Sequence, residues 1–145
     1  MSHPGSSAPS ICQTISSRVA EADLLCEKVR TLLQHDDLSH LSFAVELLAR
    51  ECLNNAVIHG NRGDEKKSVL FRLWIEQQWI RLQVRDEGPG FAWRKPRPAE
   101  NTTATSGRGL RLCELYAGRV RFNGCGNQIT LWIKRDPTGK EGGNA

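Results

Sequence analysis

The sequence lacks any stretch of apolar residues near the ~20 that a bilayer-spanning helix requires, so a membrane-spanning reading has nothing to stand on. The opening Met1-Ser-His-Pro-Gly-Ser-Ser-Ala-Pro-Ser10 has neither a basic start nor an apolar run. It therefore reads as a disordered leader over 1–10 and not as a signal peptide or anchor. Also missing is any Cys-x-x-Cys pair. The five cysteines (Cys12, Cys26, Cys52, Cys113 and Cys125) are odd in number and scattered, which argues against both a disulfide framework and a zinc site. They read as buried or incidental thiols in a reducing compartment, and the expected location is cytoplasmic. There is little room for a second domain in 145 residues.

What is present suits one compact domain: 39% hydrophobic and 25% charged residues supply a core and a solvated surface. Val19, Ala22, Cys26, Val29 and Leu33 recur at steps of three and four and predict a helix from Arg18 to His35, with Ser17 as its N-cap. A second helix begins near Ser39, turns Leu41, Val45, Leu48, Cys52 and Ala56 inward, and stops at Gly60. A polar loop follows, Asn61 to Lys67, whose Arg62-Gly63-Asp64 reads as a charged turn. Strict alternation then predicts one hairpin from Val69–Ile75 and Ile80–Val84. It predicts another from Val120–Phe122 and Ile129–Ile133 around Gly124-Cys125-Gly126-Asn127. Residues 11–15 can add an edge strand, Leu110 to Tyr116 a third helix, and 136–145 a disordered tail. Helices beside strands that are hydrophobic on one side only predict an α+β fold. The expected form is a two-layer α/β sandwich with helices on one face of a mixed, mainly antiparallel sheet.

The most informative segment is Glu51-Cys-Leu-Asn-Asn-Ala-Val-Ile-His-Gly60. Its spacing puts Glu51, Asn55 and His59 on one face of a helix, stacked as carboxylate, amide and imidazole. Two successive asparagines are poor helix formers, and folding alone would not select them. Downstream come Asp86-Glu87-Gly88-Pro89-Gly90 and then Ser106-Gly107-Arg108-Gly109-Leu110, which opens another apolar helix. Taken singly, the first is a good polar stripe and the second a good surface turn. Together and in this order, the three resemble the N, G1 and G2 boxes of the histidine-kinase-like ATPase superfamily. Within it the chain is most similar to the stand-alone anti-sigma factor serine/threonine-protein kinases. The resemblance covers residues 11–135.

That resemblance implies a Bergerat-type ATP-binding fold, with ATP and Mg²⁺ as cofactors. It makes Asn55 the Mg²⁺ ligand and Asp86 the acceptor for the adenine amine, with Gly88 and Gly90 admitting the base closely. Gly107, Arg108, Gly109 and Leu110 meet the phosphates at a helix start, where free N–H groups and the helix dipole favour an anion. Glu51 becomes the catalytic base, one turn from the metal ligand and able to take a hydroxyl proton. His59 reads as a packing or hydrogen-bonding residue at the helix end. Residues 91–106, with Arg94, Lys95 and Arg97, read as a lid over the phosphates. One departure is Asn127-Gln128 after Gly126, where the family usually has Thr near the base; either amide could replace it.

No phosphoacceptor hairpin precedes the domain and no transducer domain follows, so the expected acceptor is another protein. The family phosphorylates a Ser or Thr on a small anti-sigma factor antagonist and holds a sigma factor in its other state. A homodimer is also expected, and no membrane partner. Two alternatives stay open. One is an ATP-binding switch or adaptor without phosphotransfer. The other is single-strand nucleic-acid binding, less favoured, because Arg72, Trp74, Trp79, Arg81, Arg121, Trp132 and Lys134 alternate away from the core on a chain of net charge +4.

Overall fold

The computed structural model describes residues 8–35, 38–90 and 116–136. Two helices lie on a five-stranded sheet in the order β1-β2-β3-β5-β4. The strands are β1 (Ile11–Ser16), β2 (Ser68–Ile75), β3 (Trp79–Arg85), β4 (Arg119–Phe122) and β5 (Gln128–Lys134). Among the described strands every pairing is antiparallel, so the mixed sheet anticipated from sequence is antiparallel here. The edge strand predicted at 11–15 is real: Ile11 faces Leu73 and Ile15 faces Val69.

The two helices are α1 (Val19–His35) and α2 (Ser39–Asn54). Leu25, Val29 and Leu33 of α1 and Val45, Leu48 and Leu53 of α2 are fully buried against Phe71, Leu73, Ile80, Leu82 and Leu131 of the sheet. Each strand contributes alternate residues to that layer, the period-2 pattern visible in the sequence. Where the helices meet solvent, Arg50 reaches Asp23 at 2.6 Å and Glu46 at 3.2 Å, and Arg30 reaches Glu46 at 3.0 Å. Beneath this ladder, burial pushes the Cys26 thiol up to about 11, the inert form expected of an interior cysteine. The third helix predicted over Leu110–Tyr116 falls outside the described residues except for Tyr116 itself.

Two local expectations are corrected. Ser17 does not cap α1: its hydroxyl donates to the Lys67 carbonyl at 2.7 Å, and it is buried. The Arg18 carbonyl, just before the helix, accepts the N–H groups of Glu21 and Ala22, while the Glu21 carboxylate reaches back to accept the Ser16 N–H at 2.9 Å. The second correction concerns α2. It does not run as a regular α-helix to Gly60 but widens into a π-helical segment, Asn55–Gly60.

Candidate functional site

The site is built where the π segment, the end of β3 and the β4–β5 turn converge. Glu51 and Asn55 remain one α-helical turn apart, the Asn55 N–H bonding to the carbonyls of Glu51 and Cys52. Both side chains are half-buried, and neither makes a hydrogen bond or ion pair with any described residue. Beside them the Asn54 Oδ1 is buried with no hydrogen-bond partner among the described residues. A buried acceptor left open is rare in a folded chain and fits a site completed by something else. The His59 ring, half-buried in the π segment, makes no hydrogen bond among the described residues.

The wide turn ends with the Asn61 N–H on the Ala56 carbonyl and the Gly63 N–H on Val57. π turns recur at functional sites, and the gain here is the placement of Asn61. This residue was read from sequence as the start of a polar loop, yet it is 1% exposed. Its Nδ2 donates to Ser17 Oγ at 2.8 Å and to the Ser68 carbonyl at 2.9 Å, while its Oδ1 accepts the Glu87 N–H at 2.8 Å. One amide thereby joins the β1–α1 junction, the start of β2 and the loop after β3. Glu87 completes the node by accepting both the N–H and the hydroxyl of Ser68, each at 2.7 Å. Those two donors hold its carboxyl below the usual glutamate range.

Asp86 lies just beyond β3 and is 7% exposed. Its Oδ1 accepts the Gly88 N–H at 2.7 Å, and its Oδ2 accepts no hydrogen bond among the described residues. Burial raises its pKa above the ordinary aspartate value, opposed by the Gly88 N–H and by the charge of Lys67. The glycines around it leave no space for a side chain. A Cβ on Gly60 would stand 2.3 Å from Asp86 Oδ2, and one on Gly88 would stand 2.0 Å from the Gly60 carbonyl oxygen. Gly90 combines φ +89° with the Cys125 carbonyl oxygen 1.7 Å from where its Cβ would be. Gly88 and Gly90 were read from sequence as giving way to a base. The constraint seen among the described residues is the contact of three backbone segments, with Gly60 as a partner, and it leaves that reading standing.

Asn127 is tied to Asp86. Its Nδ2 donates to the Asp86 carbonyl at 3.2 Å, and its Oδ1 accepts from Asn123 Nδ2 at 2.6 Å. Each end of the amide has a partner within the chain and keeps a second donor or lone pair, so the contact to the base expected of Asn127 or Gln128 is left standing. Gly107, Arg108, Gly109 and Leu110, and the cations Arg94, Lys95 and Arg97, lie outside the described residues. Among the described residues no group of three or more His, Cys, Asp or Glu could hold a metal ion unaided. The donor set instead suits a cation that arrives with its own oxygen ligands, one amide oxygen being enough to anchor Mg²⁺ carried on phosphates.

Against this geometry, the sequence profile of the histidine kinase-like ATPase domain matches residues 15–133. The chain belongs to that family. The match runs from the end of β1 into β5 and so includes the π segment, the end of β3 and the β4–β5 turn that shape the site. No curated protein matches the chain closely enough to add a finer name. Histidine kinase-like ATPase domains bind ATP, typically with Mg²⁺, and the observed pieces fit such a ligand: a carboxylate with an oxygen to spare, an orphaned buried acceptor and a side-chain-free seam of glycines. Among the described residues no helix is long and apolar enough to cross a membrane.

Proposed function

We propose that this histidine kinase-like ATPase domain is an ATP-dependent protein-serine/threonine kinase. It serves as an anti-sigma-type regulator in a bacterial partner-switching module, with a small antagonist protein as the acceptor. The observation that carries the reading is Glu51, a half-buried carboxylate with no partner among the described residues, one helical turn from an Asn55 whose side chain also has none there. A carboxylate kept for structure would be paired; one that must take a proton needs its oxygens available.

Each residue then has one task. Asn55 would hold Mg²⁺, which draws the phosphates into register and offsets their charge. Asp86 presents Oδ2 to the exocyclic amine of adenine. Gly88 and Gly90 keep the loop close enough to form the base pocket, and Gly107, Arg108, Gly109 and Leu110 meet the phosphates. Glu51 accepts the proton of the incoming serine or threonine hydroxyl as its oxygen attacks the γ-phosphorus and ADP leaves. A sigma factor as the partner of the other state, and a homodimer, complete the proposal.

Replacing Glu51 by Gln tests it. The amide keeps size and hydrogen-bonding shape but takes no proton at neutral pH, and general-base assistance contributes roughly 10²–10⁴-fold in rate. ATP binding should stay near that of the unaltered protein while transfer of labelled phosphate to the neighbour-encoded antagonist slows at least ~100-fold. Transfer at an unchanged rate would remove Glu51 from the chemistry. No transfer at all by the unaltered protein would leave an ATP-binding switch.

A further inference from the structure

We infer that Asn127 is a positioning residue for Asp86, holding the carboxylate of the base pocket through the backbone of the strand end that carries it. The inference rests on the ATP reading above for its ligand but on internal geometry for its mechanism. Asp86 follows the last residue of β3, where a strand end is ordinarily free to fray. Here both of its main-chain groups are taken by one residue: the Asp86 N–H donates to the Asn127 carbonyl at 2.9 Å, and the Asp86 carbonyl accepts Asn127 Nδ2 at 3.2 Å. Bonds to the peptide groups on both sides of the Asp86 Cα leave its φ and ψ little freedom, and with them the direction of the side chain.

Asn127 is itself fixed. The Asn123 amide donates to its Oδ1 at 2.6 Å, and Asn123 Oδ1 accepts the N–H groups of Gly126, Asn127 and Gln128 at 2.8, 3.0 and 3.1 Å. An amide is the side chain that can accept from Asn123 and donate to Asp86 at once; a hydroxyl cannot span both, and a carboxylate cannot donate. On the opposite flank Asn61 holds the Glu87 N–H, so the loop is pinned at successive residues from two sides. Asp86 Oδ2 is thus left in one direction, against Gly60, with no hydrogen bond among the described residues.

The test compares ATP with purine ribonucleoside triphosphate, which lacks the 6-amino group Asp86 would read. Asn127→Ala and, without touching Asp86, Asn123→Ala should each weaken ATP about three- to tenfold, the worth of one ordinary hydrogen bond. The analogue should change less than about twofold, and neither substitution should add to Asp86→Asn, since all act through one contact. In nucleotide-free protein, the ¹³C NMR titration of the Asp86 carboxyl should move down toward the ordinary range in Asn127→Ala as the group meets water. Equal losses for both nucleotides with that titration unmoved would reduce Asn127 to a turn-former and overturn the inference, as would unaltered ATP preference and titration. If the unaltered protein binds no ATP but the Asp86 titration still shifts, the positioning role stands and the ATP reading falls.

Discussion

Asp86 and Glu87 are adjacent carboxylates that the fold drives in opposite directions, and their titrations give the sharpest expectations at the scale of single residues. Burial raises Asp86, so its ionised form costs folding free energy, and that cost is relieved as pH falls through its folded pKa. The same proton removes the acceptor for an adenine amine. ATP affinity should therefore begin to fall at a pH above the ordinary aspartate range, and Asp86→Asn, weaker by roughly 1–3 kcal/mol, should be flat across that interval. Calorimetric titrations over pH check both. Glu87 is lowered by its bonds to Ser68, so its contribution is present above the unfolded glutamate value and is lost as pH falls through the lower folded one. At Asn55 the expectation is a separation of binding from folding. Asn55→Ala removes an uncommitted amide and a poor helix former together, so Tm should hold or rise slightly while Mg²⁺-dependent ATP binding disappears. Unchanged nucleotide affinity with Mg²⁺ would show that the amide holds no metal.

At the scale of elements, what could be read from the sequence is what neighbours in the chain decide. Both hairpins, the edge strand and the two described helices follow from periods of 2 and 3.6, because the residues that set each period lie within one element. The π turn does not follow. Nothing in Asn-Ala-Val-Ile-His-Gly breaks an α-helix before Gly60; the widening goes with Asn61 reaching Ser17, 44 positions earlier, and the Glu87 N–H, 26 later. Ser17 resembles a cap in the sequence for the same reason, and the bond from Asn127 to Asp86 is not legible there because the two lie 41 positions apart. For the site, the sequence marks Asn55 and Asp86, which lie in the converging elements, and Glu51 one turn before Asn55 in α2; the asparagines that hold Asp86 and Glu87, Asn127 and Asn61, are not marked there. Two substitutions measure this convergence. Asn61→Ala strands buried groups of three segments and should cost about 1–3 kcal/mol in denaturant unfolding. Gly90→Ala meets both the Cys125 carbonyl and a left-handed backbone, and should cost more than the ~1 kcal/mol of a simple glycine replacement.

For the whole molecule, the outer face of the sheet decides how the nucleic-acid alternative fares. The register sets Trp74, Arg81, Trp132 and Arg119 in one row across four strands. Arg81 lies 3.8 Å over the Trp74 ring, Arg119 4.9 Å over Trp132 and Lys134 6.0 Å over Trp79. Trp74, expected from alternation to be open, is only 6% exposed. Rings already faced by cations, with Arg81 also bound to Glu76 at 2.8 Å, are poor platforms for stacking bases. Titration with an oligothymidylate should accordingly leave tryptophan fluorescence unquenched at physiological salt; strong quenching that collapses with added salt would restore that reading. The sheet order has one more consequence. β5 comes after every other described strand in the chain yet sits inside the sheet, between β3 and β4. During synthesis or refolding, β3 must wait with an open edge while the chain delivers its neighbour from more than 40 residues downstream, a slow closure of the kind that high contact order imposes. Asn127 arrives with that strand. The carboxylate of the proposed base pocket consequently gains its anchor only when β5 is in place, so on that proposal a nascent chain short of β5 should bind nucleotide poorly.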